Sequence, residues 1–299
     1  MELNSIADAL SGLQANQTYM DVVGNNISNV NTTAYKTQNI HFEDLLNQTV
    51  SYGNAKSGTL QGVDPTQVGM GVGQGMVNIV NAQGSVQDTG RPTDMSIQGS
   101  GYFVLNDGKQ NYYTRDGAFG VSPDGTLSSG ANGMKVQGWQ ADNTGAVDAT
   151  KTPTDIAIPL TKDPKNPASA ALKGFSVGRD GSIIGAYDDG TSQTIARVAL
   201  TDFRNPDGLI RNGGNLYSAG VNAGQAQFPT TAGGTTTTPY AAGGTGTLGA
   251  IGAGQLEGSN VDLAKQFADM IQAQQGFNAN TKVITTTNNM IQSVLSIVP

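Results

Sequence analysis

Cysteine is absent from all 299 residues, which removes disulfide staples, thiol nucleophiles and thiolate metal sites together. His41 is the only histidine, so an imidazole metal site or a Ser-His-Asp nucleophile would have to be built on one residue beside an Asn/Gln-rich loop. Charge is scarce as well: 13% of residues carry it, the net charge is -7, and Lys and Arg form no cluster. Nucleic acid and anionic membrane surfaces both need concentrated positive charge, and neither is expected as a partner. No stretch approaches the ~20 apolar residues of a membrane-spanning helix. The opening residues MELNSIADALSGLQ have no basic region, continuous apolar core or small-residue cleavage site. A cleaved secretory signal is therefore not expected, and work outside the cell would require another route.

What the chain has is glycine, 41 residues of it, together with abundant Thr, Asn, Gln and Ser and a hydrophobic share of 37%. Its length allows one large or two to three small domains. Both ends carry apolar residues at alternating steps of three and four, the spacing of a coiled-coil seam. At the N-terminal end these are Leu3, Ile6, Leu10, Leu13, Gln17, Met20, Gly24 and Ile27. At the C-terminal end Leu263, Phe267, Met270, Gln274, Phe277, Thr281, Ile284, Asn288, Ile291, Leu295 and Val298 repeat the pattern. A second stripe, Ile271, Val283, Met290, Val294 and Ile297, lies beside the C-terminal one, so that helix needs more than one helical partner. The apolar seam residues Leu3, Ile6, Leu10, Leu13, Met20, Ile27, Leu263, Phe267, Met270, Phe277, Ile284, Ile291 and Leu295 are expected to form an assembly interface. Gln17, Gln274, Thr281 and Asn288 would fix register in it or permit sliding.

Between the ends the texture is β. Six Asp-Gly pairs, at Asp107, Asp116, Asp124, Asp180, Asp189 and Asp207, and two Asn-Gly pairs, at Asn132 and Asn212, punctuate short apolar runs. Such dipeptides accept the positive φ of tight turns, which predicts an antiparallel sheet of hairpins. One hairpin is used twice: Phe119-x-Val121-x-x-Asp124-Gly125-Thr126-Leu127 matches Phe175-x-Val177-x-x-Asp180-Gly181-Ser182-Ile183. The expected fold is mixed α and β, with N- and C-terminal helices paired as a coiled coil and an antiparallel β-rich outer domain. Its boundaries are read as an inner coiled-coil domain at 1–32 and 258–299, a connector at 33–75 and the β-rich domain at 76–257. The last holds a small insertion at 141–171 and a Gly/Thr-rich excursion at 219–254. The C-terminal helix is expected to be capped by Ser259 and Asn260.

Chemistry finds little support. Gly69, Gly71, Gly73 and Gly75 alternate without the Lys-Ser/Thr of a phosphate loop and read as close-packed backbone. Asp142, Thr144 and Asp148 lack the rest of a calcium loop. Arg115, Arg179, Arg197 and Arg204 read as mostly exposed, and Trp139, with Tyr112, Tyr113 and Phe119, as sheet core. No catalytic residue, cofactor or metal is expected. A glycan hydrolase would need two carboxylates converging across a cleft, whereas these Asp residues are explained by turns. A monomeric adhesin would leave the paired terminal heptads without a reason.

Four segments resemble the bacterial flagellar hook and rod axial protein family. They are SGLQANQTYMDVVGNNISNVNTTAYKTQ at 11–38, with motif residues Asn25, Asn26, Asn29, Tyr35 and Lys36; SIQGSGYFVL at 96–105; YYTRDGAFGVSPDGTL at 112–127; and the tail from Leu256 to Val298. The resemblance implies terminal helices that line a narrow axial channel, a β domain packed outside them and helical stacking into a tube. It also implies export by the flagellar type III apparatus without a cleaved signal. The partners it implies are further copies of the chain and other axial proteins of the rod, the hook–filament junction and the hook cap. MKVQGW at 134–139 resembles a hook segment, and no rod-specific insertion follows 42–55. The resemblance thus favours a short hook protein acting as a flexible torque-transmitting joint, with the distal rod as the alternative.

Overall fold

The computed structural model describes residues 2–53, 62, 64–142, 145–148, 151–159, 170–224, 241–242 and 248–297, of which 2–4, 241–242 and 297 are described in their backbone alone. Most of the excursion at 219–254, the centre of the insertion at 141–171, the side chain of Leu3 and Val298 lie outside the described residues. The chain divides into two compact units: residues 1–30, 37–80 and 261–299, and residues 31–36 with 81–260.

The first unit holds both long helices, α1 (Glu2–Ser28) and α2 (Leu263–Ile297). It also contains the strands β1 (Gln38–Asp44), β2 (Gln48–Ser51), β3 (Thr66–Val68) and β4 (Val72–Ile79). The stretch expected as a connector is thus largely two antiparallel ladders, β1 with β4 and β2 with β3. Alternating glycines let β4 approach its partner: a Cβ on Gly75 would lie 2.6 Å from the His41 carbonyl oxygen. Helix α1 ends where Asn and Ser side chains turn back on the backbone. Ser28 Oγ donates to the Gly24 carbonyl at 2.8 Å and Asn29 Nδ2 to that of Asn25 at 2.9 Å, which competes with helix continuation.

The start of α2 differs from expectation. Asp262 caps it, its Oδ1 accepting from the amides of Ala264 at 2.9 Å and Lys265 at 3.3 Å. Asn260 instead sends Nδ2 to the Ala82 carbonyl at 3.0 Å. A carboxylate satisfies the free amides and also favours the positive end of the helix dipole. The 35 residues of α2 give a rod of ~52 Å at 1.5 Å per residue.

The second unit begins its strands with β5 (Val86–Asp88), β6 (Met95–Gln98), β7 (Tyr102–Asn106), β8 (Asn111–Thr114), β9 (Phe119–Val121), β10 (Leu127–Ser129) and β11 (Lys135–Gln140). It continues through β12 (Thr154–Asp155), β13 (Leu172–Val177), β14 (Ser182–Tyr187), β15 (Ser192–Thr201), β16 (Ile210–Gly213) and β17 (Leu216–Ser218). The short strands β18 (Ala241–Ala242), β19 (Ala250–Ala253) and β20 (Gln255–Glu257) close it. The main sheet runs β13-β14-β15-β11-β7-β8-β17-β16, and every pairing between these strands is antiparallel. Strands β19 and β20 return to pair with β6 and β5. Phe103, Phe119, Leu105, Leu127, Ile183 and Ile251 are sealed in one core.

The duplicated hairpin is real. Asp124 Oδ1 accepts from the Thr126 amide and hydroxyl, and Asp180 Oδ1 from those of Ser182. Gly125 and Gly181 take φ of 81° and 79°. Asp189, Gly190 and Thr191 repeat the same turn a third time. Asp116-Gly117 does not: a Cβ on Gly117 would lie 1.6 Å from the Met95 carbonyl oxygen, so that glycine serves close approach.

Candidate assembly surface

Helices α1 and α2 meet along small and polar residues. A Cβ on Gly12 would lie 2.5 Å from Asn280 Nδ2, and one on Gly276 would lie 2.6 Å from Asn16 Oδ1. The two Gly-x-x-x-Asn sequences therefore interlock reciprocally, each glycine receiving the other helix's asparagine. Asn16 Nδ2 is itself held to the Gly12 carbonyl at 2.7 Å. Further along, Asn26 Nδ2 donates to Gln266 Oε1 at 3.0 Å, while its Oδ1 accepts from the Gln38 amide at 3.0 Å. Partner numbers fall on α2 as they rise on α1, so the helices run antiparallel. Ala9, Ala15, Val23 and Ala273 are buried along this contact. Tyr19 stands beside Asp269, and burial together with that carboxylate raises its phenol above the ordinary value.

The apolar heptad residues sit about one position away from this seam. Ile6, Leu13, Met20 and Ile27 on α1, and Met270, Phe277, Ile284 and Ile291 on α2, are half-buried. Leu10, Leu263, Phe267 and Leu295 are exposed, Leu295 by 67%. The second stripe of α2 is exposed too, at Ile271, Val283, Met290 and Val294. Polar side chains on the same helix satisfy themselves: Thr281 donates to the Phe277 carbonyl at 2.9 Å and Thr286 to that of Lys282 at 2.8 Å. The strands of this unit add Val50 and Met76 to the exposed apolar surface, and the segments beside them add Leu46 and Tyr52.

The remaining motif residues mark where the chain enters the second unit. The Arg211 guanidinium lies 4.8 Å from the centre of the buried Tyr35 ring. Lys36 Nζ meets Glu257 Oε1 at 2.6 Å and the Ala82 carbonyl at 2.9 Å. Arg115 Nη1 lies 3.4 Å from Glu257 Oε2, and its Nη2 donates to the Gly99 carbonyl at 2.7 Å. The expectation of an exposed arginine is thus corrected at Arg115, which is buried, because Glu257 supplies a buried counter-ion. Burial pulls the Lys36 ammonium below its ordinary value against the pull of Glu257. Arg197 pairs with Asp180 at 2.6 Å. Trp139 is core, its Nε1 donating to the Lys151 carbonyl at 2.7 Å. Glu257 was invisible in the sequence, since nothing near it signals a partner 221 residues away.

Known proteins match this sequence over nearly the whole chain. Residues 8–36 match the family model described as Flagella basal body rod protein, residues 96–185 the Flagellar hook protein FlgE/F/G D1 domain, and residues 253–297 the Flagellar basal body rod FlgEFG protein C-terminal. The Flagellar basal-body rod protein FlgG of Bacillus subtilis is 35% identical over 295 residues, 99% of each chain. The Flagellar hook protein FlgE of Borreliella burgdorferi is 25% identical over 449 aligned residues, 98% of this chain and 99% of that one. That of Treponema pallidum is 26% identical over 472, covering 99% of each. The chain belongs to the flagellar hook and rod axial protein family. It is a structural protein of the flagellar basal body or hook that assembles into the axial structure with other flagellar proteins, and it is not an enzyme.

Proposed function

We propose that this chain is the subunit of a flagellar hook, polymerising helically into a tube that transmits motor torque yet bends. The observation that carries the polymer is the two-faced helix pair. Its intramolecular seam uses Gly12, Asn16, Gly276 and Asn280 and leaves Phe267, Ile271, Val294 and Leu295 in solvent. Exposed apolar stripes along a ~52 Å helix need further helices, and copies of the same chain supply them. The inner domain then comprises the two terminal helices. Thr281 and Thr286, bonded to their own backbone, leave few directional bonds to break when subunits shift past one another, which suits bending. The hook-like segment 134–139, which supplies most of strand β11, favours the hook over the rod. Type III export without a cleaved signal and contacts with rod, junction and cap proteins go with this reading.

The distal rod is the second reading, favoured by length: the rod relative aligns over 295 residues, whereas the hook relatives align over 449 and 472. Electron microscopy of flagella from the source, with an antibody to this chain, separates them. Label along a short curved segment outside the cell is expected. Label confined to a straight segment within the envelope makes it the rod subunit and removes the bending role.

A further inference from the structure

We propose that Glu257 is the counter-ion on which closure of the β unit depends, so that a chain holding Lys36 and Arg115 but not yet Glu257 cannot close this fold. All three side chains are buried, and the one carboxylate lies between two cations. Among the described residues Arg115 Nε has no acceptor, so even with Glu257 present the positive charge is only partly matched. The same residue ties distant segments together. Its Oε1 accepts from the Gly84 amide at 2.9 Å and its carbonyl from the Ala34 amide at 2.8 Å. Next to it, the Gly258 amide reaches the Ser85 carbonyl at 2.7 Å. Removing the anion leaves two buried cations without a counter-charge, the condition under which a buried pair becomes strongly destabilising. Glu257 lies 221 residues after Lys36 and 142 after Arg115. A chain delivered from its N-terminus therefore presents both cations long before their partner. The β unit stays open until β20 arrives. This holds for hook and rod alike.

The test is urea unfolding of the full chain followed by fluorescence of Trp139, the only tryptophan and a core residue of this unit. Glu257→Gln, which keeps shape and one acceptor, is expected to lower the folding equilibrium constant at least about a hundredfold. Adding Lys36→Met to it removes one uncompensated cation and is expected to restore at least tenfold. A single variant within threefold of the parent overturns the proposal. So does a double variant as unfolded as the single, because the loss then comes from missing hydrogen bonds and not from unmatched charge. A Glu257→Gln chain that does not fold while the double variant does supports it.

Discussion

Asp116 and Asp180 both occupy Asp-Gly pairs, yet their surroundings drive them in opposite directions. Burial lifts the Asp116 carboxyl above its ordinary value, outweighing the Ala118 amide and Thr33 hydroxyl that stabilise its anion. A raised folded-state pKa means that stability falls as pH climbs from the ordinary value through the folded one. Asp116→Asn keeps an acceptor without the charge, so it is expected to raise the urea midpoint at pH 7 and to lose that advantage below the ordinary carboxylate pKa. Midpoints of both chains across pH 3 to 7 check this, and a pH-independent difference would refute it. Burial pushes Asp180 up as well, but the Ser182 hydroxyl and amide and the Arg197 charge outweigh it and hold the group low. That contribution is present above the ordinary value and lost as pH falls through the folded one. The Asp180 side chain is 48% exposed, so Asp180→Asn should cost under about 1 kcal/mol and leave assembly unchanged by electron microscopy.

At the scale of elements, the helix pair depends on close approach. Gly276→Leu forces a branched side chain into the space of Asn16, whose amide is already held to Gly12, and should cost about 2 kcal/mol by overpacking. Ala279→Leu, at an exposed α2 position, should change stability by no more than about 0.5 kcal/mol. Thermal unfolding followed by far-UV circular dichroism distinguishes them; equal losses would mean that Gly276 faces no tight contact. Heptad reading found the helices and their period because apolar spacing is a local signal. It could not find the phase of the intramolecular seam, because Gly12, Asn16, Gly276 and Asn280 carry no hydrophobic signature and the apolar residues beside them do. The Asp-Gly turns were legible for the same local reason: an aspartate that bonds the residue two places on needs no distant partner. Glu257 is the opposite case, since its meaning resides in Lys36 and Arg115, both remote in sequence. The strands at 38–68 fall in the stretch read as a connector because polar residues and glycine dilute their alternation.

For the whole molecule, the exposed stripes and the sparse charge together determine how assembly should respond to change. Phe267 and Leu295 are 50% and 67% exposed, so Phe267→Asp and Leu295→Asp should move monomer stability by no more than about 0.5 kcal/mol. In a polymer those positions would be buried, and an unpaired carboxylate there costs several times more. The expected outcome is a folded monomer that forms no tubes, read by sedimentation and electron microscopy; tubes from both variants would show that α2 does not face its neighbours. Salt separates apolar from ionic cohesion. Raising NaCl from about 0.1 M to about 1 M shortens the screening length from ~10 Å to ~3 Å and would dissolve a polymer held by exposed ion pairs. With 13% charged residues and leucine, isoleucine and phenylalanine along α2, tube length is expected to stay constant or grow across that range. Apolar burial is insensitive to screening, and a net charge of -7 makes the subunits repel less as salt rises.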